Sequence, residues 1–227
     1  MKSITIAVDG STYFGSVALI RDSDVVAERT LGGDDGGVQR SGRGENLMPA
    51  LGECLAEVGV EREEIARVVC GAGPGSFTSL RVAGSAAKGL AVGYGVDLYA
   101  VSSLLLIVAG AQHPLPVGEY LAVLDAMRGE FFAAPVVVEK GGKASQSGPV
   151  ALLTADEVSE LDRSGHTRFA GPAQHFDLRP HARGVARLLP SILEDGPVDL
   201  ASWEPDYGRL AEAQVRWEAE HGRPLPR

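Results

Sequence analysis

The chain is short of cysteine, of aromatic residues and of positive charge. Two of its 227 residues are cysteine, 6% are aromatic, and 30 acidic side chains outnumber 21 basic ones, giving a formal charge of −9. Each shortage excludes a class. Cys54 falls in a helical pattern and Cys70 in an apolar strand pattern, with no C-x-x-C pair, so both read as buried free thiols in a reducing cytosol. The acidic balance opposes a protein that grips RNA alone, because phosphate contacts need clustered Lys and Arg. No run of 18 apolar residues occurs, and the amino terminus lacks a basic region followed by an apolar stretch. Neither a membrane span nor a signal peptide is expected. H-E-x-x-H and H-x-x-x-H are absent, and His113, His166, His175, His181 and His221 match no common zinc-ligand spacing. They read as surface or structural histidines.

Glycine is plentiful, with 29 residues, and the hydrophobic content of 44% suffices for one generous core or two modest ones. The densest feature is Gly71-Ala-Gly-Pro-Gly-Ser-Phe-Thr-Ser-Leu-Arg81. An apolar run ending at Cys70 enters it, and small residues at helical spacing leave it. Strand, glycine loop and helix together point backbone N–H groups and a positive helix end at an anion. The order is neither a P-loop nor G-x-G-x-x-G, since Gly71, Gly73 and Gly75 alternate and Lys88 lies two turns into the helix. A phosphate contact at Gly73, Gly75 and Ser76 and a purely structural tight turn both fit the spacing.

Along the chain, alternation predicts strands over residues 3–8, 15–21 and 25–30, the last two joined by Asp22-Ser-Asp24. Residues 32–44 read as a mobile glycine and charge-rich loop. Leu47, Met48, Leu51, Leu55 and Val58 mark an amphipathic helix closed by Gly59, and a short helical turn at 61–66 precedes the strand ending at Cys70. After the glycine loop, Leu80, Ala83, Gly84, Ala87, Leu90 and Ala91 share one helix face, opposite Arg81, Ser85 and Lys88. The small-residue face suits either packing on its own sheet or contact with a partner subunit. A strand at 97–101 and a helix at 103–111 follow. Further strands are expected at 120–125 and 130–138 around Met127-Arg-Gly129, then a polar loop at 141–149. Thr154 and Glu157 form a capping box for another helix, and a last helical pattern runs over 210–220. The order gives a mixed α/β sheet with an antiparallel edge, and the lobe boundary falls near residue 105.

Asp9 ends the first strand, before Gly10-Ser-Thr12. It reads either as a turn aspartate or as a carboxylate near a metal-bound phosphate, with Ser11 beside it. Asp125 and Glu130 flank a turn with Arg128 and fit acid/base work or a local ion pair. Ser76 or Thr78 is placed to cap the following helix through its side-chain oxygen.

Several segments together resemble the TsaB family, also called YeaZ or glycoprotease-like. They are Ala7-Val-Asp-Gly-Ser-Thr12, Arg43-Gly-Glu-Asn-Leu-Met-Pro49, Gly73-Pro-Gly-Ser-Phe-Thr78 with Leu80-Arg81 and Ala87-Lys-Gly-Leu-Ala91, Leu124-Asp-Ala-Met-Arg-Gly-Glu130, Phe169-Ala-Gly-Pro-Ala173 and Glu204-Pro-Asp-Tyr207. Arg43 stands where many relatives have histidine. The resemblance implies an actin-like (ASKHA, sugar kinase and Hsp70 ATPase-like) two-lobed fold with a shortened second lobe. Residues 1–105 would form the first lobe, 106–205 the second, with a final helix at 206–221 packing back on the first. It further implies a cytoplasmic, non-catalytic dimerisation subunit for threonylcarbamoyl transfer to the adenosine next to the anticodon of tRNAs reading ANN codons. The implied partners are the catalytic paralogue TsaD and the ATPase TsaE, with tRNA met only through the complex and a homodimer when alone. The implied partner seam runs over Leu47, Leu51 and Leu55 and over Leu80, Arg81, Ala83, Gly84, Ala87 and Lys88. No cofactor of its own and no metal are implied, while ATP or ADP with magnesium belongs at a composite site in the complex, near Asp9, Ser11, Gly73, Gly75 and Ser76. The alternative is an active ATP-dependent phosphotransferase of the same fold. A peptidase is poorly supported, because the metal-binding histidines behind the glycoprotease label are not found here.

Overall fold

The computed structural model describes residues 3–32, 46–208 and 220–222. Most of the expected loop at 32–44, Arg43, and nearly all of the helical pattern at 210–220 lie outside the described residues.

Five strands form the first sheet: β1 (Ile4–Asp9), β2 (Ser16–Arg21), β3 (Asp24–Thr30), β4 (Ile65–Gly71) and β5 (Asp97–Val101). Their spatial order is β3-β2-β1-β4-β5, with β1, β2 and β3 antiparallel and β4 and β5 parallel to β1. Short turns permit the hairpins, whereas the parallel pairs need the crossovers α1 (Leu47–Val58) and α2 (Phe77–Tyr94). Gly59 and Gly95 close these helices in the left-handed region, at φ 66 in each case.

After α3 (Ser103–Ala109) the same order repeats. The second sheet holds β6 (Gly118–Asp125), β7 (Glu130–Val138), β8 (Ala144–Gln146), β9 (Ala151–Thr154), β10 (Phe169–Gly171) and β11 (Phe176–Asp177), arranged β8-β7-β6-β10-β11 with β9 also on β7. β6 takes the place of β1, and α4 (Ala155–Arg163) the place of α1. Only residues 172–175 stand where the first lobe has the 18-residue α2, so the second lobe is the shortened one. This is the actin-like two-lobed α/β arrangement.

One face of the first sheet carries α1 and α2 side by side, through Leu47, Leu51 and Cys54 from α1 and Ala83, Ala87 and Ala91 from α2. Its other face, through Ala7, Ala18, Ile20 and Val69, shares a continuous core with α3, the second sheet and α5 (Val185–Asp195). The boundary expected at 105 therefore falls inside α3, whose Leu104, Leu106 and Ile107 are fully buried between the sheets. Later segments return to the first lobe. Ala182 N–H donates to Ser16 Oγ at 2.9 Å, Val198 N–H to the Leu98 carbonyl at 2.9 Å, and Asp206 N–H to the Ala72 carbonyl at 2.7 Å.

Two features depart from the sequence reading. The polar loop at 141–149 contains β8, whose Ala144 is buried against β7. α5 was not expected, although Val185, Leu188, Leu189 and Ile192 follow helical spacing and are buried; Pro190 inside it hides the pattern.

Candidate functional site

β1 delivers Asp9 into the middle of the molecule, where it is fully buried. Ser11 donates to its Oδ1 from both the backbone N–H, at 3.2 Å, and Oγ, at 2.7 Å. Ser103 Oγ, at the start of α3, donates to Oδ2 at 2.7 Å and itself accepts the Gly73 N–H at 3.0 Å. A single chain of hydrogen bonds thus joins the first strand, the glycine loop and the interlobe helix. Burial pushes the Asp9 carboxyl above its ordinary value, opposed by the donors from Ser103 and Ser11.

The structure brings together the five residues expected near a phosphate, but as an internal joint. The Ala72 N–H donates to the Val101 carbonyl at 2.7 Å, and the Ser76 N–H to the Ser11 carbonyl at 2.7 Å. With Gly73 donating to Ser103, these three loop donors are used within the chain. The glycines serve close approach. A Cβ at Gly75 would collide with the Ser11 carbonyl oxygen, and Gly73, at φ 90, faces the Asp206 carbonyl. A Cβ at Gly71 would collide with Asp9 Oδ2. Both carboxylate oxygens have donors and protein packs directly on Oδ2, so the surroundings of Asp9 do not fit a magnesium ion or its waters. Of the two readings of Asp9, these contacts favour the turn aspartate held by Ser11 over a carboxylate near a metal-bound phosphate. Among the described residues no group of three or more His, Cys, Asp or Glu side chains is placed to hold a metal ion.

Ser76 occupies the cap position of α2, yet its side chain makes no cap hydrogen bond. Its Oγ lies 3.1 Å from Ser79 Oγ instead. The capping expectation for Ser76 is corrected accordingly. The capping box of Thr154 and Glu157 on α4 is formed. Asp125 accepts the Met127 N–H at 2.7 Å, a turn contact at the tip of the β6–β7 hairpin.

The expected seam residues divide by burial: Arg81 stays exposed and Lys88 half-buried, while most of the others pack within the chain. Leu47 and Leu51 are buried under the sheet, Leu55 is half-buried, and Leu80, Ala83, Gly84 and Ala87 are all buried within the chain. Residues 198–208 form a strap along α2, with Pro205 Cγ 2.9 Å and Trp203 Cζ3 3.7 Å from where a Gly84 Cβ would sit. Lys88 Nζ lies over the Trp203 ring at 5.9 Å, and the Arg81 guanidinium over Phe77 at 5.3 Å. The small-residue face therefore packs at home.

What the two helices leave uncovered is their opposite side. On α2, Val82 and Val92 are 38% and 70% exposed, and Ser85, Gly89 and Gly93 lie along the same flank. On α1, Met48 is 48% exposed, with Gly52 and Ala56 beside it. Among the described residues, outside the helix's own backbone and the chain neighbours, no atom lies within 4 Å of where a Cβ of Gly52, Gly89 or Gly93 would stand. Apolar and small residues at helical spacing on the outermost layer suit close approach by another helix. Sequence reasoning missed Val82, Gly89 and Val92, although their spacing complements the buried face.

At the other end of the core, His181 is buried where the chain returns from the second lobe to β3. Its Nδ1 accepts from the Arg183 N–H and Nε, each at 3.1 Å, leaving Nε2–H to donate to Thr30 Oγ1 at 3.1 Å. Arg183 Nε also pairs with Glu28 at 3.1 Å. Burial and the Arg183 charge push His181 down to about 3, so it is neutral at physiological pH.

Residues 40–173 match the model of the family described as TsaD, tRNA N6-adenosine threonylcarbamoyltransferase. The chain is 27% identical over 230 residues to the tRNA threonylcarbamoyladenosine biosynthesis protein TsaB of Bacillus subtilis (strain 168), covering 93% of this chain and 96% of that one. It is 30% identical over 155 residues to the Escherichia coli (strain K12) protein of the same name, covering 68% and 64%. Among solved structures, YeaZ from Pseudomonas aeruginosa superposes with a TM-score of 0.71 at 22% identity, over 90% of this chain and 99% of that one.

Proposed function

The chain belongs to the TsaD family of tRNA N6-adenosine threonylcarbamoyltransferase, within its TsaB (YeaZ) members, and from this we propose that it is a non-catalytic dimerisation subunit in the formation of threonylcarbamoyladenosine in tRNA. In this reading it pairs with the catalytic TsaD paralogue and works with the ATPase TsaE in the cytoplasm. It meets tRNA only through the complex and forms a homodimer when alone. Residues 1–105 and 106–205 act as its two lobes. ATP or ADP with magnesium binds at a site that the partner subunit completes, not at Asp9.

The observation that carries the proposal is the uncovered flank of α1 and α2. Val82, Gly89 and Val92 stand exposed on a helix whose small-residue face is buried within the chain. An apolar, glycine-indented surface admits a facing helix at close range. The three glycine-loop donors engaged within the chain and the sequestered Asp9 support the absence of catalysis by this chain alone, since phosphoryl transfer needs free donors and a carboxylate open to the metal. A tRNA-modification assay with the paralogue and the ATPase, run with and without this chain, tests the proposal. Modification should require the chain, while the isolated chain turns over no ATP. Magnesium-dependent ATP turnover by the chain alone, lost in Asp9→Asn, would establish the phosphotransferase reading instead.

A further inference from the structure

The strap at 198–208 follows α5, crosses to β5 and runs along α2 to the glycine loop. Among the described residues, its backbone bonds to the rest of the chain lie at its two ends. Val198 N–H donates to the Leu98 carbonyl at 2.9 Å, and Asp206 N–H to the Ala72 carbonyl at 2.7 Å. Between these ends the segment is tied mainly to itself. Trp203 N–H donates to the Asp199 carbonyl at 2.8 Å, and the Ala201 N–H and Ser202 Oγ donate to the Asp199 carboxylate at 3.2 and 2.6 Å. These donors, Ser202 foremost, hold the Asp199 carboxyl below its ordinary value. Side chains complete the attachment: Trp203 and Pro205 lie against Gly84, and Tyr207 stacks on Phe77 with ring centroids 4.6 Å apart. Ala201, Ser202, Glu204, Asp206 and Gly208 stay exposed.

What lies beneath is the glycine loop. The Asp206 carbonyl faces Gly73 and leaves no room there for a Cβ. Gly208, at φ 68, sits where a Cβ would collide with both Pro74 of the loop and Phe132 of the second sheet. Inward from Gly73 come Ser103 and then Asp9. On this side of the buried carboxyl the outermost layer is thus a self-bonded segment pinned at its ends, which suits a unit that opens without global unfolding. We propose that residues 198–208 are a lid on the glycine loop: they open as one unit while both lobes stay folded, and the Gly73 contact with Ser103 loosens with them. Opening the lid admits water toward Asp9 from this side. The other return to the first lobe is built to stay shut, since His181 and Ala182 are buried and the Ala182 N–H is held by Ser16.

Amide hydrogen exchange, resolved by residue on the full-length protein, tests the lid. Val198, Asp206 and Gly73 should share one level of protection, at least a hundredfold below that of Ala182 and of Ala7 in the central strand β1. Gly208→Ala, whose added methyl meets Phe132 and Pro74, should lower protection at those three amides at least tenfold further. Ala7 and Ala182 should stay unchanged, whereas a general loss of stability would lower all five. If Gly208→Ala does not fold, Tyr207→Ala replaces it, since it removes the stack on Phe77. Val198 and Asp206 exchanging in step with Ala7 overturns the lid. Fast exchange at Val198 and Asp206 with Gly73 protected like Ala7 describes a loose strap that gates nothing, and overturns the proposal as well. So does a folded variant that loses protection at all five amides or at none.

Discussion

His181 and Asp9 are buried ionisable groups whose pH effects run in opposite directions. The folded state holds His181 neutral, with its value depressed to about 3, while an unfolded chain protonates it near the ordinary 6.5. Its contribution to stability is therefore present above pH 6.5 and is lost as pH falls toward 3, amounting to roughly 3 kcal/mol by pH 4. His181→Gln keeps an acceptor and a donor near Arg183 and Thr30, and its unfolding free energy should vary less between pH 7 and pH 4 than that of the wild type. Parallel denaturant titrations at these pH values check it; equal slopes would place the acid sensitivity elsewhere. Asp9 is raised instead, so its favourable contribution is full below about pH 4 and declines as pH rises toward the folded value. Asp9→Asn removes that titration. Its stability relative to the wild type should increase from pH 4 to pH 7, read from the same titrations, and a constant difference would show that Asp9 does not titrate in this range.

Among the elements, α2 shows where sequence reading succeeds and where it stops. Its span and buried face were legible, because Leu80, Ala83, Ala87, Leu90 and Ala91 repeat at helical spacing. What lies over Gly84 was not legible, because Trp203 and Pro205 arrive from more than a hundred residues away in a stretch without periodicity. The capping expectation failed for a local reason: Ser76 Oγ meets Ser79 Oγ, while the Ser76 N–H is held by Ser11. Ser76→Ala should therefore cost less than about 0.5 kcal/mol, below the ~1 kcal/mol typical of a true cap. A thermal unfolding midpoint within a degree or two of the wild type meets that expectation, and a loss of a full cap's worth would restore the capping role. α5 went unread because Pro190 interrupts the segment, although Val185, Leu188, Leu189 and Ile192 carry the period.

At the scale of the molecule, the repeated sheet order explains why the fold was legible while the site was not. The first lobe's strands and helices follow local alternation and helical spacing, whereas the two-lobed topology was implied by the family resemblance, and β8 and α5 of the second lobe were not read from local pattern. Asp9 at the end of β1 signals a phosphate site only if its surroundings are open. Ser103, 94 residues further on, decides that they are closed. The same distance effect moved the candidate interface from the buried face of α2 to its opposite flank, since only the assembled strap reveals which face is spare. If that flank receives the catalytic paralogue, as proposed, the binding of the paralogue to Val92→Arg measures it most directly. The folded variant should lose at least tenfold in affinity for the paralogue and lose tRNA modification in proportion, without any change in thermal stability. Wild-type affinity for the paralogue in the folded Val92→Arg chain would contradict the proposal.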